Sequence, residues 1–471
     1  MELREYQKKA IVKIREAFLN KQNAVILQLP TGGGKTVIFS EIAKQTASKG
    51  NSVLVITDRV ELLKQAGGTF EKIGITANYL TAQTKEIEMG GVWVAMVETI
   101  KRRLHKKDYV TFVQSFDLII IDEAHKQSFN RIFEAVNENQ RIIGATATPY
   151  RSGSMTPLKN YYDTIIVGEQ IPELISTDFL SPAVHYGVPI KGINSIKITA
   201  GEFDQKQVEK LYDDATLYGG VIKNYVKHCN NKKALLFTAS ISNSVKLVAE
   251  FNKNGIDAIH IDGETPKPIR EQILLDFKNG KYRVLSNVGV LTTGYDEPSI
   301  EVIITYRPTR SLPLWLQMCG RGSRIFKGKE TFIILDFGEN TKRHGFWDAD
   351  RTWTLDLVNP PKKKGVAPIK ECPNCGALVP ANAQVCEYCL HEFPQKKSKS
   401  PVEVVLEKLT PAEINRADWN MYELEEIRKI KGYKVGWVLR RLKSMADFED
   451  YARLKGYAKG WVYYQTKIYL K

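Results

Sequence analysis

The chain has 471 residues, with 68 Lys and Arg against 53 Asp and Glu and a formal net charge of +15. That length predicts more than one domain, and 43% hydrophobic with 26% charged residues is an ordinary water-soluble globular composition. No apolar run approaches the roughly 20 residues that span a bilayer, and Met1–Tyr6 has no apolar signal segment, so a cytoplasmic chain is expected rather than a membrane or secreted one.

In chain order, strand patterns occur at Val25–Leu29, Val53–Ile56, Val92–Val97, Leu118–Ile121 and Ile142–Ala145. A second series follows at Ala234–Thr238, Ala258–Ile261, Arg283–Ser286, Val302–Thr305 and Phe332–Leu335. These runs are rich in Val, Ile and Leu and alternate with helical patterns, which predicts parallel sheets covered on both faces. The reading is of two doubly wound α/β domains, 1–168 and 216–345, joined by a connector, 169–215, in which Ile171–Leu180 has a helical pattern. Beyond them, Asn359–Gly365 and Pro394–Pro401 read as linkers by their prolines and like charges. Between the linkers lies a cysteine-rich module, 368–394. The last segment, 402–471, carries an internal repeat: Lys431-Gly-Tyr-Lys-Val-Gly-Trp-Val438 recurs as Lys455-Gly-Tyr-Ala-Lys-Gly-Trp-Val462. Each copy ends one amphipathic helical pattern and begins another, which predicts two helical hairpins.

The first strand runs into Leu29-Pro-Thr-Gly-Gly-Gly-Lys-Thr36 and then a helix. In such a loop Thr31, Gly32, Gly33 and Gly34 curl the backbone so that its N–H groups face phosphates. Lys35 would reach the β- and γ-phosphates, and the Thr36 hydroxyl would coordinate Mg²⁺. Leu29 replaces the usual first glycine, so a glycine-rich structural turn is the competing reading. Asp122-Glu-Ala-His125 decides between them. It ends an apolar strand, where the carboxyl edge of a parallel sheet gathers ligand-binding groups. Asp122 would hold the metal, largely through water, and Glu123 would orient and deprotonate the attacking water. Two acids capping a helix would explain the pair but not its place after a phosphate loop.

In this order the motifs resemble those of superfamily 2 helicases of the DEAH-lettered type, over about residues 1–340. The resemblance implies two tandem RecA-like parallel-sheet lobes that close on ATP. Leu3-Arg-Glu-Tyr-Gln7 resembles the adenine-reading motif, with Arg4 and Gln7 as nucleotide contacts. Gly144-Ala-Thr-Ala-Thr-Pro149 resembles the motif coupling hydrolysis to movement through Thr146 and Thr148. Val284–Pro298 resembles motif V and places Gly294 and Asp296 at the interlobe cleft. Gln317-Met-Cys-Gly-Arg-Gly-Ser-Arg324 resembles motif VI, in which Gln317 faces the nucleotide. Arg321 and Arg324, spaced i and i+3 as on one helix face, would stabilise the charge of the transferring phosphoryl group. His125 is expected to bridge toward Gln317 or the motif III threonines, or to be a satisfied structural histidine.

By motif match, Arg59, Gln65, Thr99, Thr238, Ser240 and Thr292 would grip a nucleic-acid strand through its phosphates. The basic excess suits such a polyanion, although a merely basic chain fits as well. Lys101–Lys107 is the densest basic run of the first domain and reads either as a track or as a solvated face.

Cys372, Cys375, Cys386 and Cys389 form two CxxC pairs, a spacing that suits four thiolates around Zn²⁺ better than a redox dithiol. His391 is not needed in that shell. In the terminal repeat, Tyr433, Trp437, Tyr457 and Trp461 either pack a small core or stack on bases. A zinc ribbon followed by this repeat is similar to the C-terminus of the branch-migration DNA helicases of T5-like bacteriophages. The resemblance implies an ATP-, Mg²⁺- and Zn²⁺-dependent monomer acting on forked or branched DNA alongside replication or recombination proteins, in the host cytoplasm. A motor on RNA, and a zinc-dependent adaptor whose ATPase is a clamp or switch, are the competing readings.

Overall fold

The computed structural model describes residues 3–58, 70–71, 74–150, 156–187, 190–199, 201–292, 294–356, 369–393 and 421–470. The expected linkers at 359–365 and 394–401 lie outside these residues. Residues 1–394 form one compact unit and 395–471 another.

The first unit holds two all-parallel sheets. One has seven strands in the order β3-β4-β2-β5-β6-β1-β7: β1 (Ala24–Gln28), β2 (Val53–Thr57), β3 (Asn78–Leu80), β4 (Val92–Met96), β5 (Leu118–Asp122), β6 (Arg141–Thr146) and β7 (Thr164–Val167). The other has six, in the order β12-β13-β11-β14-β15-β8: β8 (Ala183–Gly187), β11 (Ala234–Thr238), β12 (Ala258–Ile261), β13 (Val284–Asn287), β14 (Val302–Tyr306) and β15 (Phe332–Asp336). A small antiparallel pair, β9 (Ile198–Thr199) and β10 (Glu202–Phe203), lies between β8 and β11 in sequence.

All ten predicted strands are present, each within one residue of its expected ends. Their Val, Ile and Leu side chains are almost wholly excluded from water because helices cover both sheet faces. The expected connector is different in one respect. Residues 183–187 are the edge strand of the second sheet, paired in parallel with β15. Ala-Val-His-Tyr-Gly alternates poorly and carries a weak strand signal, and its place in the sheet is fixed by packing. The helix predicted at Ile171–Leu180 spans Ile171–Ser176.

One cluster of buried apolar side chains runs through both lobes of this unit, including Leu29, Leu180, Leu316, Trp347 and Trp353. The ribbon strands β16 (Ile369–Glu371) and β17 (Leu378–Pro380) pair antiparallel. Among the described residues of the second unit the helices Met421–Lys431, Val435–Leu439, Met445–Lys455 and Lys459–Tyr469 form the expected two hairpins. No described helix is long and apolar enough to cross a membrane.

Candidate functional site

Strand order builds the site. In the first sheet β5, β6 and β1 are neighbours, and the register sets Asp122 beside Ala145 and Gln28 beside Thr146. The loops leaving these three carboxyl ends therefore meet, as parallel sheets require of a ligand site. The loop after β1 turns through Gly32 at φ 87° and Gly34 at φ 81°, left-handed values that favour glycine, and Gly34 caps the helix Lys35–Ala47. Leu29, the apparent departure from the phosphate-loop pattern, is fully buried beneath the loop. Its side chain lies where a Cβ on Gly33 or Gly168 would fall, at 2.8 and 2.7 Å. It is a platform for the turn.

Lys35 Nζ donates to the carbonyls of Leu29 and Pro30 at 3.0 and 3.3 Å. Burial pulls its pKa down, opposed by Glu123 and Asp122. Burial, and then the neighbouring Glu123, pushes the Asp122 carboxyl up to about 7, against the pull of Lys35. Glu123 holds a left-handed backbone at φ 52°, and its N–H donates to Asp122 Oδ1 at 3.0 Å. His125 Nδ1 lies 2.8 Å from Thr146 Oγ1 and 3.4 Å from Glu123 Oε2, so it joins the carboxylate to the motif III loop. Thr146 Oγ1 also accepts from the Thr148 N–H, while Thr148 Oγ1 is buried with no hydrogen-bond partner among the described residues.

The second lobe reaches this cluster directly. Gln317 Nε2 points to Glu123 Oε2 at 3.4 Å. A Cβ on Gly320 would stand 2.7 Å from Thr31 Cβ, so the two lobes touch backbone to phosphate loop. The expected helix face carrying Arg321 and Arg324 is not formed. The helix Leu312–Cys319 ends before them, at two glycines that seat against Thr31 and Phe332. Both arginines instead fold onto motif V. Arg321 donates to the carbonyls of Thr292 and Tyr295 at 2.7 and 2.6 Å, and Arg324 pairs with Asp296 at 2.7 Å. Their charge still falls on Lys35, whose pKa both depress. Gly294 turns motif V at φ 76°.

Gln7 is buried, with its Oε1 accepting from the Arg4 N–H at 3.0 Å and its Nε2 against Gly34. Further anchors lie outside the residues expected from the sequence motifs. Tyr6 donates to Gly33 O at 2.9 Å, and Phe179 lies under the Arg4 guanidinium at 4.1 Å. After the second lobe the chain returns to the first: Trp353 Nε1 donates to Gln170 Oε1 at 3.0 Å, and Gln170 Nε2 donates to Gln28 Oε1 at 2.8 Å. Gln28 in turn donates to Ala147 O at 3.1 Å, so this strap ends beside both the phosphate loop and motif III. Tyr6 lies within Leu3–Gln7, but Gln170 and Trp353 carry no local signal.

Of the expected strand contacts, Arg59 and Gln65 lie outside the described residues. Thr99, Thr238, Ser240 and Thr292 are buried. The Thr238 hydroxyl donates to Ser240 O at 3.1 Å, Ser240 caps the helix Ile241–Lys253, and the Thr292 hydroxyl donates to Gly289 O at 3.2 Å. These three hydroxyls donate hydrogen bonds within the lobe. In the basic run, Lys101 pairs with Glu98 at 2.8 Å and Arg103 donates to Ala82 O and Thr84 O, so part of the run is structural.

The four sulfurs of Cys372, Cys375, Cys386 and Cys389 lie within 4.8 Å of one another. Cys372 and Cys389 are 3.6 Å apart, Cys375 and Cys386 3.8 Å, close to the roughly 3.8 Å edge of a tetrahedron with 2.3 Å Zn–S bonds. The set is compatible with a zinc ribbon. It packs on β8: Leu378 fills the space a Gly187 Cβ would occupy, and Tyr388 donates to Ala183 O at 3.2 Å.

A family model described as type III restriction enzyme, res subunit, matches residues 1–151, and one described as helicase conserved C-terminal domain matches residues 219–326. The chain is 34% identical over 393 residues to a 51.5 kDa protein of a Lactococcus phage (isolate 7-9), covering 81% of each. It is 33% identical over 357 residues to a Saccharomyces cerevisiae protein assigned as an ATP-dependent helicase, IRC3, covering 71% of this chain but 51% of that one. A solved fragment assigned as the HsdR subunit of a type I restriction enzyme from Vibrio vulnificus YJ016 has the same fold at TM-score 0.59 and 22% identity, covering 76% of this chain and 67% of that one. With two parallel-sheet lobes meeting at one phosphate loop, the chain belongs to the superfamily 2 helicases, ATP-dependent translocases of nucleic acid.

Proposed function

We propose that the chain is a DNA helicase or translocase of the DEAH-lettered type that remodels forked or branched DNA. The observation that carries this reading is the double contact of motif VI, Gly320 on Thr31 and Gln317 toward Glu123, because a hydrolysis site shared by two lobes couples chemistry to their movement. In this reading Arg4 and Gln7 hold the adenine, and the N–H groups of Thr31–Thr36 with Lys35 hold the phosphates. Thr36 and Asp122 would hold Mg²⁺, which neutralises the phosphate oxygens when bound. Glu123 takes a proton from the attacking water as its oxygen bonds the γ-phosphorus and the bond to the β–γ bridging oxygen breaks, giving ADP and phosphate. Arg321 and Arg324 stabilise the charge of that step.

Motif V supports the coupling. The same Thr292 whose backbone would lie near the strand offers its carbonyl to Arg321, so movement of the strand-facing loop moves the arginine. The buried Thr148 hydroxyl in motif III, without a hydrogen-bond partner among the described residues, is a group able to exchange partners as the lobes shift. The four cysteines would hold Zn²⁺, which would stabilise the ribbon where it covers the β8 edge of the second lobe. DNA is favoured over RNA because the model matching the first lobe is named for a restriction-enzyme subunit.

The test is ATPase stimulation by DNA and RNA of matched sequence, with strand displacement on forks, Holliday junctions and plain duplex. The expected result is stronger stimulation by DNA and ATP-dependent displacement on branched substrates. Stronger stimulation by RNA, or no displacement on any substrate, would contradict the reading.

A further inference from the structure

The C-terminal unit carries one motif twice, and part of what the copies share is on the surface. Six of the eight positions of Lys-Gly-Tyr-x-x-Gly-Trp-Val are identical 24 residues apart, while the flanking positions have changed, Leu424 to Phe448 and Arg441 to Gln465 among them. In both copies the motif folds alike. Tyr433 lies against Trp437 with ring centroids 4.9 Å apart, and Tyr457 against Trp461 at 4.6 Å, tilted 33° and 39°. The core of the unit takes the motif's last position, Val438 and Val462, and closes it with Leu424, Leu439, Phe448 and Tyr451. Both tryptophans sit at its rim, whereas Tyr433 is 43% exposed and Tyr457 37%. Packing therefore accounts for the tryptophans and leaves the two tyrosines without a reason to recur.

We propose that the two Tyr–Trp pairs are stacking stations for unpaired bases of a single nucleic-acid strand. The proposal rests on the reading of the chain as a nucleic-acid motor. Between Met421 and Leu470 there are eleven basic against six acidic side chains, a balance that suits a phosphate backbone. Cations flank the rings: Arg441 lies 4.0 Å over Trp437, and Lys434, Arg440 and Lys443 are exposed nearby in sequence. In the second copy exposed Tyr463 and Tyr464 extend the aromatic surface, with Lys467 4.5 Å over Tyr463. Exposed ring faces with cations match unpaired bases, whose own faces are free. A continuous duplex presents base faces only at its ends.

The experiment uses the full chain and fluorescein-labelled oligo(dT), with anisotropy at fixed salt and no nucleotide, and a blunt duplex of equal length for comparison. Tyr433→Ala/Tyr457→Ala is expected to weaken oligo(dT) binding about 10-fold or more, from the loss of two stacked bases. Duplex binding and ATPase without nucleic acid should be unchanged. Tyr433→Phe/Tyr457→Phe, which keeps the ring faces, should bind within about twofold of the parent. Unchanged oligo(dT) binding by the alanine variant, equal loss on duplex, or equal loss in the phenylalanine variant would each overturn the proposal. If no nucleic acid stimulates the parent ATPase, the motor reading itself fails. If stimulation is normal but the alanine variant binds normally, only the stacking stations fail.

Discussion

Replacing Gly320 by alanine isolates the contact between the lobes. Its backbone, at φ −61° and ψ −11°, is one that alanine adopts freely, so the substitution adds no conformational strain. The added Cβ would stand 2.7 Å from Thr31 Cβ and 2.8 Å from Thr31 Cγ2. Ordinary carbon contacts are about 3.5–4 Å, so motif VI must withdraw from the phosphate loop by close to 1 Å. Overpacking of this kind costs about 1–3 kcal/mol, and if the cost falls on the closed arrangement, turnover drops roughly 5- to 150-fold. The assay is steady-state ATPase with saturating DNA, alongside thermal unfolding to verify that each lobe stays folded. Gly219→Ala is the control, because that helical glycine has nothing within 4 Å of its Cβ position and alanine favours the helix. A Gly320→Ala enzyme turning over within twofold of the parent would refute the claim that this contact belongs to the active arrangement.

In the C-terminal unit, Arg428 beside Glu425, helped by Lys455 and the Tyr451 hydroxyl, holds the buried Glu425 carboxyl down at about 2 against an ordinary 4.5. A folded value below the unfolded one gives stability present above about pH 4.5 and lost as pH falls toward 2. Glu425→Gln should therefore cost roughly 2 kcal/mol at neutral pH, seen as about 30-fold faster hydrogen exchange in residues 421–455; unchanged exchange would contradict the network. The parent should carry about one zinc per chain by elemental analysis, and Cys375→Ser should lower that content and raise exchange at β8, which the ribbon covers. A parent chain without zinc, purified in the absence of chelators, would remove the ribbon assignment.

Much of the catalytic half was legible because its signals are local. Ten apolar runs became strands, and the Gly32–Gly34 turn and Asp122–Glu123 lie at the carboxyl ends of β1 and β5, which only β6 separates in one parallel sheet. What escaped depends on contacts distant in sequence. The strand Ala183–Gly187 reads weakly and joins the second sheet only because β15 is there to pair with it. The Trp353–Gln170–Gln28 strap links positions up to 325 residues apart through side-chain amides that have no periodicity. The i, i+3 spacing of Arg321 and Arg324 suggests a helix, but Gly320, seated against Thr31 of the first lobe, and Gly322, seated against Phe332, lie where it stops. The hydroxyls of Thr238, Ser240 and Thr292 match a motif whose spacing does not reveal the local hydrogen bonds they donate.

The most direct test of the account is Glu123→Gln, which removes the proton acceptor and leaves the phosphate loop and motif VI in place. ATP binding, measured by fluorescent-nucleotide titration, should stay within about threefold of the parent, while hydrolysis falls by 10²-fold or more and strand displacement disappears with it. Displacement that persists in this variant would contradict an engine driven by hydrolysis between the two lobes.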